Sequence, residues 1–410
     1  MTATAWGTAT RFGAGARCGV DTTVWRELGS PLVVATSTGP LTGHTVAVKD
    51  LFAVAGHPLG AGVEDFLAER TPESRHAAVV ADLLAAGATV TGIARTDEFA
   101  YSITGANGRT GMPVNPVAPQ RVPGGSSSGP AVAVARGEVS IGLGTDTAGS
   151  IRVPGSYQGL WGIRTTHAGL DTTGLLPLAP SFDTIGWLTR DAATLLAVAD
   201  SVFAHPAVPR PYGSGFSNTD LVVDPTLCAA AEPEIAEQCA RASEELGARR
   251  ITLRADLDRW FSAFRAVQAF EAWAGHGDWL TAHPDALEPD VRERFAWAAT
   301  VTAEEAAAAR TVVAEAAARI RDILGDRALV LPTTAGPPPP RAADRRTRDA
   351  VRHATLRLTC LASIAGLPAV TLPLPNRRSL PAGLCLIGAA NSDRALIVLA
   401  AQCAARLANL

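Results

Sequence analysis

Between residues 45 and 200, short apolar runs alternate with segments of helical spacing, and that alternation restricts the chain to a layered α/β fold. Residues 45–52 read as a strand carrying Lys49, 74–86 as a helix and 88–93 as the next strand. Residues 107–128 are rich in Gly, Pro and Asn and long for a loop in a compact domain, which marks a functional or disordered segment. A helix over 127–137, a strand over 139–144 and a short helix over 150–157 follow. Residues 232–246 and 256–323 are rich in Ala, Glu, Arg and Trp at helical spacing, with little strand signal. Strand character returns at 329–331, 369–373 and 382–387, beside a Pro-rich loop at 336–341 and helices over 345–364 and 393–407. The expected architecture is a single domain over 1–410. A mixed-sheet core spans about 40–200 and 325–410, and a helical insert at about 205–324 shapes the substrate pocket.

Composition narrows the class. Hydrophobic residues make up 47% and charged residues 18%, as in a well-buried globular protein, and a net charge of −3 gives no electrostatic case for nucleic acid or an anionic membrane. No run of about 18 apolar residues is present to span a bilayer. Residues 2–15 are polar and Gly/Ala-rich, with no leader pattern, so the expected location is cytoplasmic. Cys18, Cys228, Cys239, Cys360, Cys385 and Cys403 are scattered without ligand spacing, which indicates neither zinc nor a disulfide framework.

One count stands out. Of 36 basic residues, 35 are Arg and one is Lys, at position 49. Arg serves wherever a positive charge suffices; a retained Lys suits a position that needs a nitrogen able to lose its proton, as a general base or a Schiff-base amine. The count by itself leaves a surface leftover equally open.

Two further segments carry chemistry. The run Gly124-Gly125-Ser126-Ser127-Ser128-Gly129 has the composition of a linker, yet it leads directly into the apolar Pro130-Ala131-Val132-Ala133-Val134. Successive backbone N–H groups entering a helix N-terminus form an anion- or oxyanion-binding corner. Gly125-x-Ser127-x-Gly129 also fits a nucleophile elbow, but the Pro-rich residues 115–123 cannot supply the strand that motif needs. Gly144-Thr145-Asp146-Thr147-Ala148-Gly149-Ser150 joins a strand to a helix and presents Ser150 at the helix N-terminus, where it is either a cap or a nucleophile. A dinucleotide fold fails for want of the third Gly and an acidic residue at 164, a P-loop for want of a Gly-Lys pair, and an SxxK motif because Val46 precedes Lys49 by three. None of the eight histidines lies in a motif, and Asp183 reads as a turn-stabilising carboxylate.

A strand Lys, a Gly-Gly-Ser-Ser corner and a Gly-Thr-Asp-x-x-Gly-Ser turn, in that order, resemble the amidase signature family of Ser–Ser–Lys hydrolases. The resemblance extends through Val46-Ala47-Val48-Lys49-Asp50, Asp97-Glu98-Phe99-Ala100-Tyr101, residues 142–154 and 181–191, Ala365-Gly366-Leu367-Pro368-Ala369-Val370 and Leu380-Pro381-Ala382-Gly383. Within the family the chain is similar to the short-chain branch that contains plant indole-3-acetamide hydrolases.

The resemblance implies a mixed sheet of roughly eleven strands between helical layers, with no metal and no cofactor. It places Ser150 on the nucleophile, Ser126 on the bridging serine after a cis Gly125–Ser126 peptide, and Lys49 on the base, which must then be buried. It assigns the oxyanion hole to the N–H groups of Thr147, Ala148, Gly149 and Ser150, with Gly125, Ser127, Asp146 and Arg152 in support. Tyr101, Asn107, Ser181, Phe182 and Trp187 become candidate pocket walls.

Pro130, Ala148 and Arg164-Thr165-Thr166 depart from the family pattern, the last at the loop after the Trp161 strand. The implied activity is hydrolysis of a small-molecule amide by a monomer or homodimer. Alternatives are transfer of the same acyl-enzyme to an amine, carbamoyl or urea-type substrates, a pyridoxal-phosphate enzyme using Lys49, or a non-catalytic amidotransferase-like subunit.

Overall fold

Strands with apolar residues on both faces need cover on both sides, and the sheet of this protein is built mainly from such strands. The computed structural model describes residues 19–204, 216, 220–375 and 380–408. The leader reading at 2–15, Cys18 and the expected start of the insert at 205 lie outside those residues.

The strands are β1 (Trp25–Val33), β2 (Thr45–Lys49), β3 (Thr89–Ala94), β4 (Ile141–Thr145), β5 (Trp161–Arg164) and β6 (Ile185–Thr189). They continue as β7 (Leu221–Val223), β8 (Arg249–Arg250), β9 (Ala328–Pro332), β10 (Ala369–Pro373) and β11 (Gly383–Ile387). All eleven join one sheet in the order β1-β3-β2-β4-β6-β5-β10-β11-β9-β7-β8. Pairing is parallel around β2 and around β7 and antiparallel elsewhere, so the sheet is mixed, as the resemblance implies. Every residue of β4, β5, β6, β9 and β11 is buried.

The helices of the first half are α1 (Glu64–Ala68), α2 (Ala78–Ala85), α3 (Ser128–Ala135), α4 (Arg152–Gln158) and α5 (Ala192–Val202). Those of the second half are α6 (Pro225–Cys228), α7 (Pro233–Glu245), α8 (Leu257–Ala282), α9 (Pro289–Ala298), α10 (Ala303–Leu324), α11 (Arg345–Ala365) and α12 (Asp393–Leu407). One face of the sheet is covered by α3, whose apolar residues meet Ala47, Ala94 and Leu188, and by α4, which packs on β5, β10 and β11. The other face carries α2, α5 and α12, and its core includes Trp187, Leu195 and Leu396. A third cluster joins α8–α11 to the loop residues Phe99, Tyr101, Ala148 and Phe182.

Two expectations change. The strand expected over 45–52 ends at Lys49, where the Leu51 N–H turns back to the Lys49 carbonyl at 2.7 Å. The insert is not wholly helical either. β7 and β8 fall inside it and extend the sheet beyond β9, leaving α8–α10 as the separate layer. Two- and three-residue strands are too short for a period to show.

β1, which the sequence reading did not assign, is an edge strand with Pro31 after a cis bond; proline is tolerated there because one side of an edge needs no donor. The five described cysteines are free.

Candidate active site

Neighbouring parallel strands end together, so β2 and β4 deliver Lys49 and Thr145 to the same edge of the sheet. Open α/β sheets bind ligands at such carboxyl ends. Lys49 is fully buried. Its Nζ lies 2.8 Å from Ser126 Oγ, 3.1 Å from Ser127 Oγ and 2.8 Å from Thr145 Oγ1. Loss of hydration lowers its pKa from 10.5 to about 7, against the opposing pull of Asp97, Asp146 and Asp183. At neutral pH this amine is therefore poised between its charged and neutral forms.

The Gly-Ser run is a buried corner and not a linker. Gly125 N–H donates to the Ile103 carbonyl at 2.8 Å, and Asp97 N–H to the Ser126 carbonyl at 3.3 Å. A Cβ on Gly125 would stand 2.6 Å from both Asp97 Oδ2 and the Gly105 nitrogen, so only glycine fits. The Gly125–Ser126 peptide is cis. The corner opens into α3, whose residues Ser128–Val134 are all buried. Ser127 N–H donates to the Ser150 carbonyl at 3.3 Å, which ties the corner to the second serine turn.

That turn is organised by Asp146. Its carboxylate meets Arg152 through Nη2 at 2.8 Å and Nε at 3.0 Å, and Arg164 Nη1 at 3.4 Å, with every partner buried. Burial alone would raise its pKa; the two guanidiniums and the backbone donors bring it well below the carboxylate range. The Gly149 N–H also donates to Asp146 Oδ1, at 2.8 Å. This corrects the expected oxyanion hole, because one of its four donors is already engaged. Among the described residues the N–H groups of Thr147, Ala148 and Ser150 donate to no protein acceptor. The Thr359 hydroxyl, on α11, donates to the Ala148 carbonyl and holds the turn from outside. Arg164 also donates to the Asp146 carbonyl, so the departure at 164 sits inside this network.

The expected pocket residues do not all meet here. Asn107 is buried and donates to the Gly62 and Thr96 carbonyls at 2.7 and 3.3 Å, so it fastens loops together. Trp187 is buried on the far face of the sheet, donating to the Leu195 carbonyl at 3.1 Å. Ser181 is exposed and bound to Glu271 of α8, with its hydroxyl 2.6 Å from Oε1. All three make hydrogen bonds that tie segments of the fold together. Phe182 packs against Phe264, and Tyr101 against Phe295, with ring centroids 4.5 and 5.1 Å apart. Both belong to the cluster that contains Ala148 of the turn.

The sequence reading missed Thr145, Asp97 and Thr359. It placed Asp183 correctly, since that carboxylate accepts from the Leu178 and Ala179 N–H groups at 2.8 Å and from the Thr147 hydroxyl at 2.6 Å. Burial raises the pKa of both Asp97 and Asp183. Among the described residues no cluster of His, Cys, Asp and Glu is placed to hold a metal ion.

The chain is similar to known proteins along most of its length. The profile of the family named Amidase matches residues 28–209. Amidase 1 of Arabidopsis thaliana is 34% identical over 417 residues, covering 92% of this chain and 96% of its own length. The 2-amino-5-chloromuconic acid deaminase of Comamonas testosteroni is also 34% identical, over 88% of this chain and 81% of its own. A crystal structure of an amidase superposes with a TM-score of 0.81 at 30% identity, covering 90% of this chain and 86% of that one. With identity along nearly the whole length and the same fold, the chain belongs to the amidase signature family.

Proposed function

We propose that this amidase cleaves the C–N bond of a small carboxylic amide through an acyl-enzyme on Ser150, with Ser126 and Lys49 carrying the proton. The observation that supports this most is the buried Lys49 amine, 2.8 Å from Ser126 Oγ with its pKa lowered to about 7. In the first step Ser150 Oγ attacks the carbonyl carbon and passes its proton to Ser126, which passes its own to neutral Lys49. The tetrahedral oxyanion is met by the free N–H groups of Thr147, Ala148 and Ser150, where one well-placed donor contributes about 3–4 kcal/mol. As the C–N bond breaks, the proton returns along the same path to the departing nitrogen. Water then enters, gives up a proton by the same relay and releases the carboxylate, restoring Ser150. Asp146, Arg152 and Arg164 hold the turn that presents Ser150.

The test combines labelling with turnover. A fluorophosphonate probe should label wild-type protein and leave Ser150→Ala unlabelled. A panel of primary and aryl amides that includes indole-3-acetamide should show hydrolysis by the wild type alone. Hydrolysis retained by Ser150→Ala would overturn the mechanism. Product analysis with and without added amine distinguishes hydrolysis from acyl transfer.

A further inference from the structure

Cys228 and Cys239 stand face to face in a part of the chain that the amide chemistry does not use. Helix α6 ends at Cys228, and Cys239 sits in the middle of α7. Their Sγ atoms are 3.4 Å apart, and both thiols are free. Only residues 229–232 separate the two helices, so the pair is close in sequence as well as in space.

The backbone holds this approach from both ends. Asp224 caps α6, accepting from the Thr226 N–H at 2.9 Å, and its other oxygen takes the Leu253 N–H at 2.7 Å. In the connection, the Ala230 and Ala231 N–H groups donate to the Leu227 and Cys228 carbonyls at 3.2 and 3.1 Å. The Glu232 N–H ties the start of α7 to the Ala335 carbonyl at 2.6 Å. With both helices fixed, the entropic cost of bringing the two sulfurs together has already been met by folding.

The two sulfurs differ in access. Cys228 lines a pocket of about 330 Å³ beside β7 and β8, together with the small apolar residues Val223, Pro225, Ala229, Ala236 and Ala240. Cys239 lies behind it, 1% exposed against 5% for Cys228. The Cys239 thiol donates to Cys228 and lowers its pKa, while the same contact and burial raise that of Cys239. The more acidic thiol is therefore the one that a molecule in the pocket reaches, as befits an attacking cysteine with a resolving partner. Cys360, Cys385 and Cys403 differ from it, since burial raises their thiols to about 12, 11 and 11.

We propose that Cys228 and Cys239 are a thiol-modification site, which exchanges with small uncharged disulfides entering this pocket and closes to an intramolecular disulfide. Cys228 Sγ, as the thiolate, attacks one sulfur of the incoming disulfide, forms a mixed disulfide and expels a first thiolate. Cys239 then loses its proton to that thiolate and attacks Cys228 Sγ, expelling a second thiolate, which takes up the proton released by Cys228. The small disulfide is reduced to two thiols, and the protein pair is oxidised by two electrons.

Peptide mapping of the full-length protein tests this. Reduced protein is treated under native conditions with bis(2-hydroxyethyl) disulfide, quenched in acid, alkylated with N-ethylmaleimide in denaturant and digested with trypsin without reduction. No Arg or Lys separates the two cysteines, so one tryptic peptide carries both. In the wild type that peptide should lose two hydrogen atoms and take no maleimide, while Cys360, Cys385 and Cys403 are alkylated. Dithiothreitol should restore both thiols. Cys239→Ser should stop at a hydroxyethyl mixed disulfide on Cys228, and Cys228→Ala should slow modification of Cys239 by at least about tenfold. Maleimide on both cysteines of the treated wild type overturns the site, whether or not a variant folds. So does oxidation of Cys360, Cys385 or Cys403 as fast as the pair, or an undiminished rate at Cys239 in Cys228→Ala.

Discussion

Replacing Lys49 by methionine keeps an unbranched apolar stem and removes the amine, which isolates the energetic effect of burying a titratable nitrogen. The pKa of Lys49 falls from 10.5 to about 7 because burial strips the ammonium of water. Between those two values the unfolded chain holds a proton on Lys49 that the folded chain has released. Stability therefore rises with pH across that window. Below pH 7 both states are protonated and the fold bears the whole penalty of about 3.5 pH units, roughly 5 kcal/mol. At pH 9 roughly 2 kcal/mol of it remains. Lys49→Met has no such penalty at either pH.

The hydrogen bonds that the variant loses to Ser126, Ser127 and Thr145 shift its stability by nearly the same amount at both values and cancel in the comparison. From pH 6 to pH 9 the wild type should thus gain roughly 2–3 kcal/mol relative to Lys49→Met. Urea unfolding followed by tryptophan fluorescence, with midpoints compared at constant slope, reads that difference directly. A difference between the two proteins that stays constant with pH, or that moves the other way, would refute the reasoning. Lys49 would then keep its proton throughout and could not serve as a base near neutrality.

Three other substitutions probe the same site. Lys49→Arg should be inactive from pH 6 to 8, where a guanidinium keeps its proton; measurable kcat/KM within that range contradicts the proposed base. Gly125→Ala should lower kcat/KM by about 100-fold or more, since its Cβ would meet Asp97 Oδ2 at 2.6 Å and displace Ser126; kinetics near wild type would show that the corner has slack. Asp146→Asn should destabilise the protein by about 3–5 kcal/mol, leaving Arg152 and Arg164 buried without their counter-charge, as a fall in denaturant midpoint would record.

The parts of the site that were legible in the sequence are those held within short stretches of chain. Lys49 stands out by composition, and Ser126 and Ser150 sit in turns whose glycines signal the backbone directly. Ala369–Pro373 and Asp393–Leu407 were readable to the residue because long apolar periods run up to clear breaks. Thr145 was not readable: a threonine ending an apolar strand looks the same whether it packs or meets an amine. Trp187 misled for a related reason, since an aromatic inside a motif carries no record of which sheet face it occupies. β6 was hidden inside the motif around Asp183, and Thr359 reaches Ala148 from 211 residues away in sequence.

A base near neutrality also depends on what happens to the negative charge around it. Asp97, Asp146 and Asp183 all favour the protonated amine, and three uncompensated carboxylates would hold Lys49 far above 7. The surroundings act on them in two ways. Asp146 stays ionised, but Arg152 and Arg164 neutralise it in a fully buried cluster. Burial raises the pKa of Asp97 and Asp183, against the hydrogen bonds that each carboxylate accepts, so their pull on Lys49 is opposed by the same desolvation that acts on the amine. Guanidinium suits the first task because it keeps its charge at any working pH, whereas a lysine beside Asp146 would be able to titrate with Lys49. The replacement of lysine by arginine everywhere else in the chain thus has a local consequence. At this site the cations that must stay charged are arginines, and the one nitrogen proposed to change its protonation state during turnover is the lysine.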